Sequence, residues 1–225
     1  QSKDIIPKIE TDIIKKNIQN FDLFIDIGAF VGFFSIYTNH LSKTKRYIAF
    51  EPQKDSFELL SKNFKLNKIN NYKLFNKALS NKKVESKLYG FGQGASLIKN
   101  WGGISNYDKI VKVDMFDNFY HLTEKNEKIF IKMDAEGEEY NILLGGKNFL
   151  NHKSRIFIYF ENGIKKNFID KNPYYLKIFE LLNDYSFEIY HTENLQKKLD
   201  IKSLQNLYEK NEEPFNDINY LAIKN

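Results

Sequence analysis

Phe24-Ile-Asp-Ile-Gly-Ala-Phe-Val-Gly32 is the stretch that decides the fold of this chain. Its first half is apolar apart from Asp26, which is typical of a strand buried on both faces. The residues after it, Phe33-Phe34-Ser35-Ile36-Tyr37, continue as an amphipathic helix. Gly28 lets the backbone turn sharply or approach a ligand, and Gly32 lets helix and strand pack closely. The stretch therefore predicts a strand, a glycine turn and a helix that together hold a cofactor.

A second apolar strand, Tyr47-Ile-Ala-Phe-Glu51-Pro52, ends in a carboxylate placed to bind a ribose diol. The glycine turn departs from a dinucleotide fingerprint, because Phe30 and Phe33 stand where that fingerprint has its second and third glycines. A pyrophosphate would not fit closely against such a turn. The acidic Asp26 also favours a cationic ligand over a polyanion. S-adenosylmethionine fits both departures, since it has a sulfonium, an ammonium and a ribose but no phosphate.

The composition is that of an ordinary globular protein, with 225 residues of which 42% are hydrophobic and 28% are charged. This length suits one domain with a full core. No apolar run reaches the roughly 18 residues of a membrane span, and the first residues lack a signal-peptide pattern. We therefore expect a soluble, cytoplasmic protein. The absence of cysteine excludes disulfides, thiolate metal sites and cysteine nucleophiles.

The net charge of +5 raises the question of a nucleic-acid partner. The lysines are scattered along the whole chain, and Arg46 and Arg155 are the only arginines, so the sequence contains no basic cluster. A nucleic-acid partner is consequently not expected.

Apolar runs and amphipathic segments alternate along the chain, which predicts an α/β protein with a mostly parallel sheet in a single domain spanning residues 1–225. The predicted helices are Lys54–Leu66, Glu138–Leu144 and Pro173–Asn183. The predicted later strands are Tyr72–Asn76, Ile129–Met133, Arg155–Phe160, Phe187–Tyr190 and Asn219–Ile223.

Two segments interrupt this alternation, and we expect both to be insertions on the substrate side. Residues 84–113 contain short strands broken by glycines, and such loop-rich segments often carry specificity. Trp101 within them either stacks on a sugar ring or fills a core or an interface. Residues 192–214 are polar and rich in lysine, which predicts a helical excursion or a lid.

Carboxylates follow four of the predicted strands. They are Asp26, Glu51, Asp134 with Glu136, and Glu161 followed by Asn162. In an open parallel sheet, ligands bind beyond the carboxyl ends of the strands, so these residues are candidates for a functional site. The alternative is that they cap helices, a role for which Glu138 and Glu139 are also well placed.

Four stretches resemble the FkbM-type methyltransferases, a branch of the S-adenosylmethionine-dependent class I fold. They are Phe24 to Ser35, Ala49-Phe-Glu-Pro52, Asn76-Lys-Ala-Leu-Ser80 and Ile131-Lys-Met-Asp-Ala-Glu-Gly-Glu-Glu-Tyr140. The resemblance implies a Rossmann-like, seven-stranded, mostly parallel sheet with helices on both faces and an antiparallel last strand. It also implies O-methylation of sugars or other secondary metabolites.

The resemblance further implies a division of the cofactor site. Asp26, Gly28 and Gly32 would lie along the methionine part and Glu51 would hold the ribose, while Asn76, Ala78 and Ser96 would lie near the adenine. The full predicted cofactor site comprises Asp26, Gly28, Ala29, Phe30, Gly32, Phe33, Glu51, Pro52, Asn76, Ala78, Ser96 and Asp134.

The sulfonium is already a strong electrophile, so the protein has to align an acceptor hydroxyl and help to remove its proton. Asp134, Glu136 and His191 are the candidate bases, although a lone histidine is more often a surface residue. A metal site is a more specific hypothesis, because Asp134, Glu161 and Asn162 offer three hard oxygen ligands for Mg²⁺ or Mn²⁺. This arrangement looks like that of metal-dependent O-methyltransferases. The alternative is that Glu161 and Asn162 bind substrate or cap a turn.

The sequence leaves three functions open. The first is an S-adenosylmethionine-dependent O-methyltransferase for a sugar hydroxyl, with a carbohydrate or nucleotide-sugar acceptor and a role in surface polysaccharide biosynthesis. The second is a methyltransferase for RNA or protein, and the third is a non-catalytic module that keeps the fold for binding. The intact set of glycines and carboxylates argues against the third.

Overall fold

A computed structural model describes residues 8–43, 45–104, 108–165, 168 and 171–225. The strands in these ranges are β1 (Leu23–Ile27), β2 (Arg46–Phe50), β3 (Tyr72–Phe75), β4 (Ala78–Ser80), β5 (Val84–Tyr89), β6 (Asp108–Met115), β7 (Ile129–Met133), β8 (Ile156–Glu161), β9 (Glu188–His191), β10 (Asn194–Lys198) and β11 (Asn219–Lys224). The α-helices are α1 (Lys8–Asn17), α2 (Phe33–Leu41), α3 (Lys54–Leu66), α4 (Glu139–Leu144), α5 (Lys147–Leu150), α6 (Tyr175–Asp184) and α7 (Ile201–Lys210).

The main sheet has eight strands in the order β10-β9-β11-β8-β7-β1-β2-β3. β1 pairs in parallel with both β2 and β7. The pairs β2–β3 and β7–β8 are also parallel. The last strand, β11, is antiparallel to both of its neighbours. The predicted α/β fold with a mostly parallel sheet and an antiparallel last strand is thus confirmed.

The eighth strand is a correction to the predicted count of seven. β10 lies inside the polar segment 192–214 and pairs antiparallel with β9 at the edge of the sheet. All five of its residues are exposed, and Asn194-Leu-Gln-Lys-Lys198 lacks the alternation that signals a strand. The rest of the segment contains helix α7, whose Tyr208 ring stacks on Tyr175 of α6. The segment therefore extends and supports the far edge of the sheet.

Both faces of the main sheet are covered, and the alternation of side chains along its strands explains the two cores. One face of β1 presents Leu23, Ile25 and Ile27 to a cluster completed by α4, α5, α6 and α7. Phe24 on the opposite face joins a cluster that includes residues of α1, α2 and α3. This double burial is why β1, β7 and β8 read as apolar runs in the sequence.

A smaller three-stranded sheet, in the order β4-β6-β5, includes β5 and most of β6 from the segment 84–113. β4 is parallel and β5 is antiparallel to β6. Residues 105–107 of this segment lie outside the described ranges. The loop between β5 and β6 bends back to the carboxyl edge of the main sheet, where Gln53 both donates to and accepts from the backbone of Gly92.

The helices largely follow the sequence pattern. α3 has its predicted bounds, whereas α4 and α6 begin one and two residues later than predicted. In the ranges that the structure describes, no helix combines the length and the apolar character needed to cross a membrane.

Candidate active site

A cavity of about 400 Å³ opens at the carboxyl ends of β1, β2 and β7. Its size lies within the range of small-molecule sites, and most of its lining is apolar. Of the residues predicted for the site, nine line this cavity: Gly28, Ala29, Phe30, Phe33, Glu51, Pro52, Ala78, Asp134 and Glu136. The other predicted residues (Asp26, Gly32, Asn76, Ser96, Glu161, Asn162 and His191) do not.

The turn after β1 brings the backbone of the first glycine against the end of β7. Gly28 has a φ of 74°, and a Cβ added there would overlap the carbonyl oxygen of Asp134. The backbone N–H groups of Gly28 and Ala29 donate to the carbonyl oxygen of Phe50. Phe30, which follows Ala29 in the turn, has a φ of 49°, a conformation that non-glycine residues rarely adopt. The turn is therefore fixed from both neighbouring strands.

Gly32 has the packing role that the sequence suggested, and its contact with the cofactor stays a prediction. It precedes α2 with a φ of 87°, and an added Cβ would lie 2.5 Å from the Leu60 side chain of α3. The glycine thus allows α2 to pack against α3.

Glu51 is the best-defined polar group of the cavity. Its carboxylate accepts hydrogen bonds from the backbone N–H of Phe30 at 2.9 Å and of Gln53 at 2.8 Å. Burial raises the pKa of Glu51 to about 7, although these two donors favour the ionised form. A carboxylate has about four acceptor positions, so this group retains capacity for the hydroxyls of a ribose.

Asp26 lies beside the cavity but does not reach it. The residue is 1% exposed, and one carboxylate oxygen accepts from the Ser35 hydroxyl at 2.7 Å. The other oxygen, Oδ1, is buried without a hydrogen-bond partner in the described structure. Burial raises the pKa of Asp26, whereas the neighbouring Lys132 ammonium opposes that shift. Asp26 thus joins β1 to α2 and lies next to the charge of Lys132 on β7, and its contact with the cofactor stays a prediction.

Lys132 is a cavity residue that sequence reasoning missed. Its ammonium donates to the carboxylate of Asp134 at 3.0 Å and lies 4.7 Å from the centre of the Phe34 ring. Burial alone would lower the pKa of Lys132, but the carboxylates of Asp134 and Asp26 outweigh it and raise the pKa. The ammonium therefore remains charged. A single lysine in the apolar run Ile129-Phe-Ile-Lys-Met133 is the signal that could have identified it.

The loop after β7 holds Glu136 in a strained conformation beside the cavity. Glu136 has a φ of 52°. Its carboxylate accepts from the Trp101 indole N–H at 2.5 Å, and its backbone carbonyl accepts from the Ser96 hydroxyl at 2.6 Å. Backbone strain that surrounding contacts maintain in this way is typical of functional sites. Ser96 thus supports the backbone of Glu136 and does not line the cavity.

Glu139 fixes the same loop from the first turn of α4. Its carboxylate accepts from the backbone N–H of Ala135 at 2.7 Å and of Gly137 at 3.0 Å. Burial raises the pKa of Glu139 to about 8 in spite of these donors. Glu138 does line the cavity, and it accepts from the Ser80 hydroxyl at 2.8 Å. Glu139 therefore fixes the loop that precedes α4, whereas the N-cap residue Glu138 makes no side-chain capping bond and contributes to the cavity wall.

The side of the cavity near Ala78 is built from the residues that follow β2 and β3. Pro52 and Ala78 line it directly. Asn76 does not, because its side-chain amide donates to the carbonyl oxygens of Glu51 and Pro52. Asn76 therefore supports the backbone of the turn after β2.

His191 is not brought to the cavity. β9 lies three strands beyond β7, which corresponds to on the order of 14 Å across the sheet. The imidazole stacks on Phe215 with ring centres 3.6 Å apart and contacts Asp217. Burial lowers the pKa of His191. The structure thus gives the predicted base a packing role.

The residues proposed as metal ligands do not fit a metal. The side-chain amide of Asn162 donates to the Tyr175 carbonyl at 2.9 Å, and its oxygen accepts from Asn172 at 3.0 Å. Asp134 is engaged with Lys132. Across the described ranges, no group of three or more His, Cys, Asp or Glu side chains is arranged to hold a metal ion. The Mg²⁺ or Mn²⁺ hypothesis is therefore not supported.

S-adenosylmethionine, in contrast, fits the residues present. The glycine turn, the carboxylate of Glu51 and the apolar wall that includes Pro52 suit a nucleoside without phosphate, as the sequence implied. The close approach of Gly28 to Asp134 leaves the backbone of the turn as one wall of the cavity.

Structural comparison returns proteins of low sequence identity. A precorrin-6y C5,15-methyltransferase from Geobacter metallireducens is 14% identical, with a TM-score of 0.49 over 100% of this chain and 92% of that one. An rRNA methylase from Streptococcus thermophilus is 11% identical, with a TM-score of 0.46 over 99% and 97% of the two chains. An Aeropyrum pernix fibrillarin with natively bound S-adenosyl-L-methionine is 10% identical, with a TM-score of 0.49 over 96% and 73%.

No curated protein matches the sequence significantly. The profile of the methyltransferase FkbM domain, however, matches residues 26–189, which include the end of β1, the residues that line the cavity, and strands β2, β3, β7 and β8. This match and the cavity support an S-adenosylmethionine-dependent methyltransferase. The chain belongs to the FkbM methyltransferase family.

Proposed function

We propose that the protein transfers the methyl group of S-adenosylmethionine to a hydroxyl oxygen of a sugar, in the biosynthesis of a surface polysaccharide or of a nucleotide-activated sugar. The observation that carries the proposal is the strained Glu136 carboxylate at the cavity, next to the indole of Trp101. Carboxylates accept hydrogen bonds from sugar hydroxyls and can take up their protons. The choice of a carbohydrate acceptor follows the family resemblance.

The cofactor in this proposal extends across the three strand ends. Glu51 accepts hydrogen bonds from the ribose diol, and Pro52 and Ala78 flank the adenine. The turn from Gly28 to Phe30 follows the methionine part toward Asp134. The walls of the cavity exclude water from the reacting atoms, which strengthens the electrostatic interactions within it.

The bound cofactor supplies a methyl group on a strongly electrophilic sulfonium. The protein has to align the acceptor oxygen for in-line attack and accept its proton. Asp134 forms an ion pair with the Lys132 ammonium, whereas Glu136 accepts from the neutral Trp101 indole, so we assign the proton to Glu136. The Ser96 hydroxyl and the Trp101 indole hold Glu136 in place for this step.

The test measures S-adenosylhomocysteine formation with a panel of nucleotide sugars and oligosaccharides. Glu136→Gln should lower the turnover rate by a factor of about 100 or more, since the amide cannot accept the proton, and leave cofactor affinity within about threefold. Glu58→Gln, on the exposed face of α3, is the matched control and should be neutral. Unchanged turnover in Glu136→Gln would contradict the assigned base.

The same assay separates the competing functions. Methylation of RNA but not of sugars, with binding that weakens steeply as salt rises, would replace the carbohydrate acceptor. Cofactor binding without transfer to any acceptor class would favour the non-catalytic module.

A further inference from the structure

Lys132 of β7 belongs to a polar row across three neighbouring strands of the main sheet. Asp26 of β1 pairs in register with Lys132 of β7, which pairs with Tyr159 of β8. The Tyr159 hydroxyl donates to the Glu10 carboxylate of α1 at 3.2 Å. The row before it on the same face is aromatic, with Phe24, Phe130 and Phe157. A charged row at this depth is costly to bury unless its charges have partners.

The ammonium of Lys132 has more donors than the described structure uses. A lysine carries three N–H donors, and the hydrogen bonds of the described residues give one of them, to Asp134. The residue is 3% exposed, yet it lines the cavity next to Gly28 and Phe34. Because Lys132 lines the cavity, a ligand there can accept from its ammonium.

One end of the cavity thus presents a cation and an anion whose charged atoms are 3.0 Å apart. An α-amino acid group has the matching pair of charges, with a carboxylate and an ammonium on one carbon. Charge-assisted hydrogen bonds of this kind are among the strongest in proteins, particularly where water is excluded.

We propose that Lys132 binds the α-carboxylate of the cofactor's methionyl group while Asp134 receives its ammonium. The inference rests on the proposed function, because it takes S-adenosylmethionine as the ligand. Lys132 then determines specificity for a cofactor that carries an intact amino-acid end. Asp26 and the Glu10–Tyr159 pair hold the lysine charged and in position from its two sides.

The opposing interpretation is that Lys132 serves only as an internal counter-ion for Asp134 and Asp26. In that case its removal would change the stability of the protein, but it would not change the discrimination between ligands with and without a carboxylate. The two interpretations therefore differ in a ratio of affinities.

The experiment compares two probes by calorimetric titration: S-adenosylhomocysteine, and its decarboxylated form, in which hydrogen replaces the α-carboxylate. The wild-type protein should bind S-adenosylhomocysteine about 30-fold more tightly, the size expected for one charge-assisted hydrogen bond. In Lys132→Met this ratio should fall to about one, since the carboxylate has lost its partner. Lys132→Arg should retain part of the ratio, because it keeps the charge but changes its geometry.

Lys77→Met is the matched control, because Lys77 also lines the cavity but pairs with Asp114. This variant should keep the 30-fold ratio. Thermal unfolding of each variant, alone and with each probe, provides a second measure of binding.

The outcomes separate this inference from the function on which it rests. A wild-type protein that binds both probes equally, or a Lys132→Met variant that keeps the full ratio, overturns the role of Lys132. A wild-type protein that binds neither probe contradicts the proposed cofactor instead. If Lys132→Met does not fold, the ratio of the two affinities in the wild-type protein and in Lys132→Arg still tests whether Lys132 binds the carboxylate.

Discussion

The two halves of the main sheet's carboxyl edge are both polar, yet they use their polar residues differently. Over β1, β2 and β7, groups such as Glu51 and Lys132 face a cavity. Over β8, β9 and β11, groups such as Asn162 and His191 bond to other residues of the chain. The two halves therefore differ in whether a cavity adjoins the polar residues, because Glu51 and Lys132 also have partners within the chain. The predictions below test this division, beginning with the largest expected effect.

The largest effect should come from Gly28→Ala on the cavity half. The added Cβ would overlap the Asp134 carbonyl, and the positive φ adds strain. We expect a loss of more than about 3 kcal/mol in the free energy of unfolding, or no folded protein. Gly92→Ala is the control, because no heavy atom lies near its Cβ position, and it should cost about 1 kcal/mol. Equal urea-unfolding midpoints for the two variants would refute the close approach of β1 and β7.

Glu51→Gln should have the next largest effect. The amide loses two charge-assisted bonds to the ribose, so the affinity for S-adenosylhomocysteine should fall by about 100-fold in calorimetry. Glu58→Gln on exposed α3 should leave the affinity unchanged. A loss of less than threefold in Glu51→Gln would place the ribose elsewhere.

The pH dependence of the same affinity follows from the raised pKa of Glu51, about 7 in the ligand-free protein. Ribose hydroxyls donate to the carboxylate, so a ligand has to compete with the proton below that pH. The affinity should be constant above about pH 8 and should fall by up to about tenfold per unit below pH 7. Titrations at several pH values check this, and Glu51→Gln should flatten the profile. A profile that rises toward acid would contradict the assignment.

The raised pKa also predicts how the ligand-free protein responds to pH. Its folded state holds the Glu51 proton more tightly than the unfolded state, whose pKa is the ordinary 4.5. This contribution to stability is therefore present below pH 4.5 and is lost as the pH rises through about 7. Bound cofactor should reduce this loss of stability at high pH. Thermal unfolding at pH 5 and pH 8, with and without S-adenosylhomocysteine, measures the difference.

Asn162→Ala tests the other half of the edge. It removes the partner of Asn172 and of the Tyr175 carbonyl, both of them buried. We expect a cost of about 2 kcal/mol and a melting temperature lower by about 5 °C. The affinity for S-adenosylhomocysteine should stay within twofold. A large loss of affinity at unchanged stability would indicate that Asn162 contacts the ligand.

The smallest effect is expected for His191→Phe. A phenyl ring preserves the stacking on Phe215, and His191 does not line the cavity. Methyl transfer measured as S-adenosylhomocysteine formation should therefore stay within twofold of the wild-type rate. A hundredfold loss of the methyl-transfer rate with intact cofactor binding would indicate that His191 acts as the base.

The sequence predicted the parts of the fold that depend on local pattern. The buried strands and α3 follow from apolar runs and helical periodicity, and the glycine turn follows from residues that tolerate a positive φ. The eighth strand, β10, escaped prediction because it is exposed and pairs only at the sheet edge. The hydrogen bonds of β10 are made to β9, and the sequence of β10 has no periodicity that would predict this pairing.

The site was predicted in outline, and its errors share one cause. Glu51 and Asp134 were found because strand ends converge at one edge of a parallel sheet. Asn76 and Ser96 lie one layer behind the cavity, because their side chains bond to the backbone of Pro52 and Glu136. Such partners are distant in sequence, so spacing alone does not reveal whether a polar side chain faces a ligand or another segment. Lys132 was overlooked although a lone charge in a buried strand requires a partner.

Calorimetric titration of the wild-type protein with S-adenosylhomocysteine at pH 8, in the presence of a chelator, tests the central claim most directly. The cavity is built from the chain's own donors and acceptors, and the proposed metal ligands are otherwise engaged. We therefore predict one site per chain with micromolar or tighter affinity. No binding, or binding that appears only after a divalent metal is added, would contradict the account.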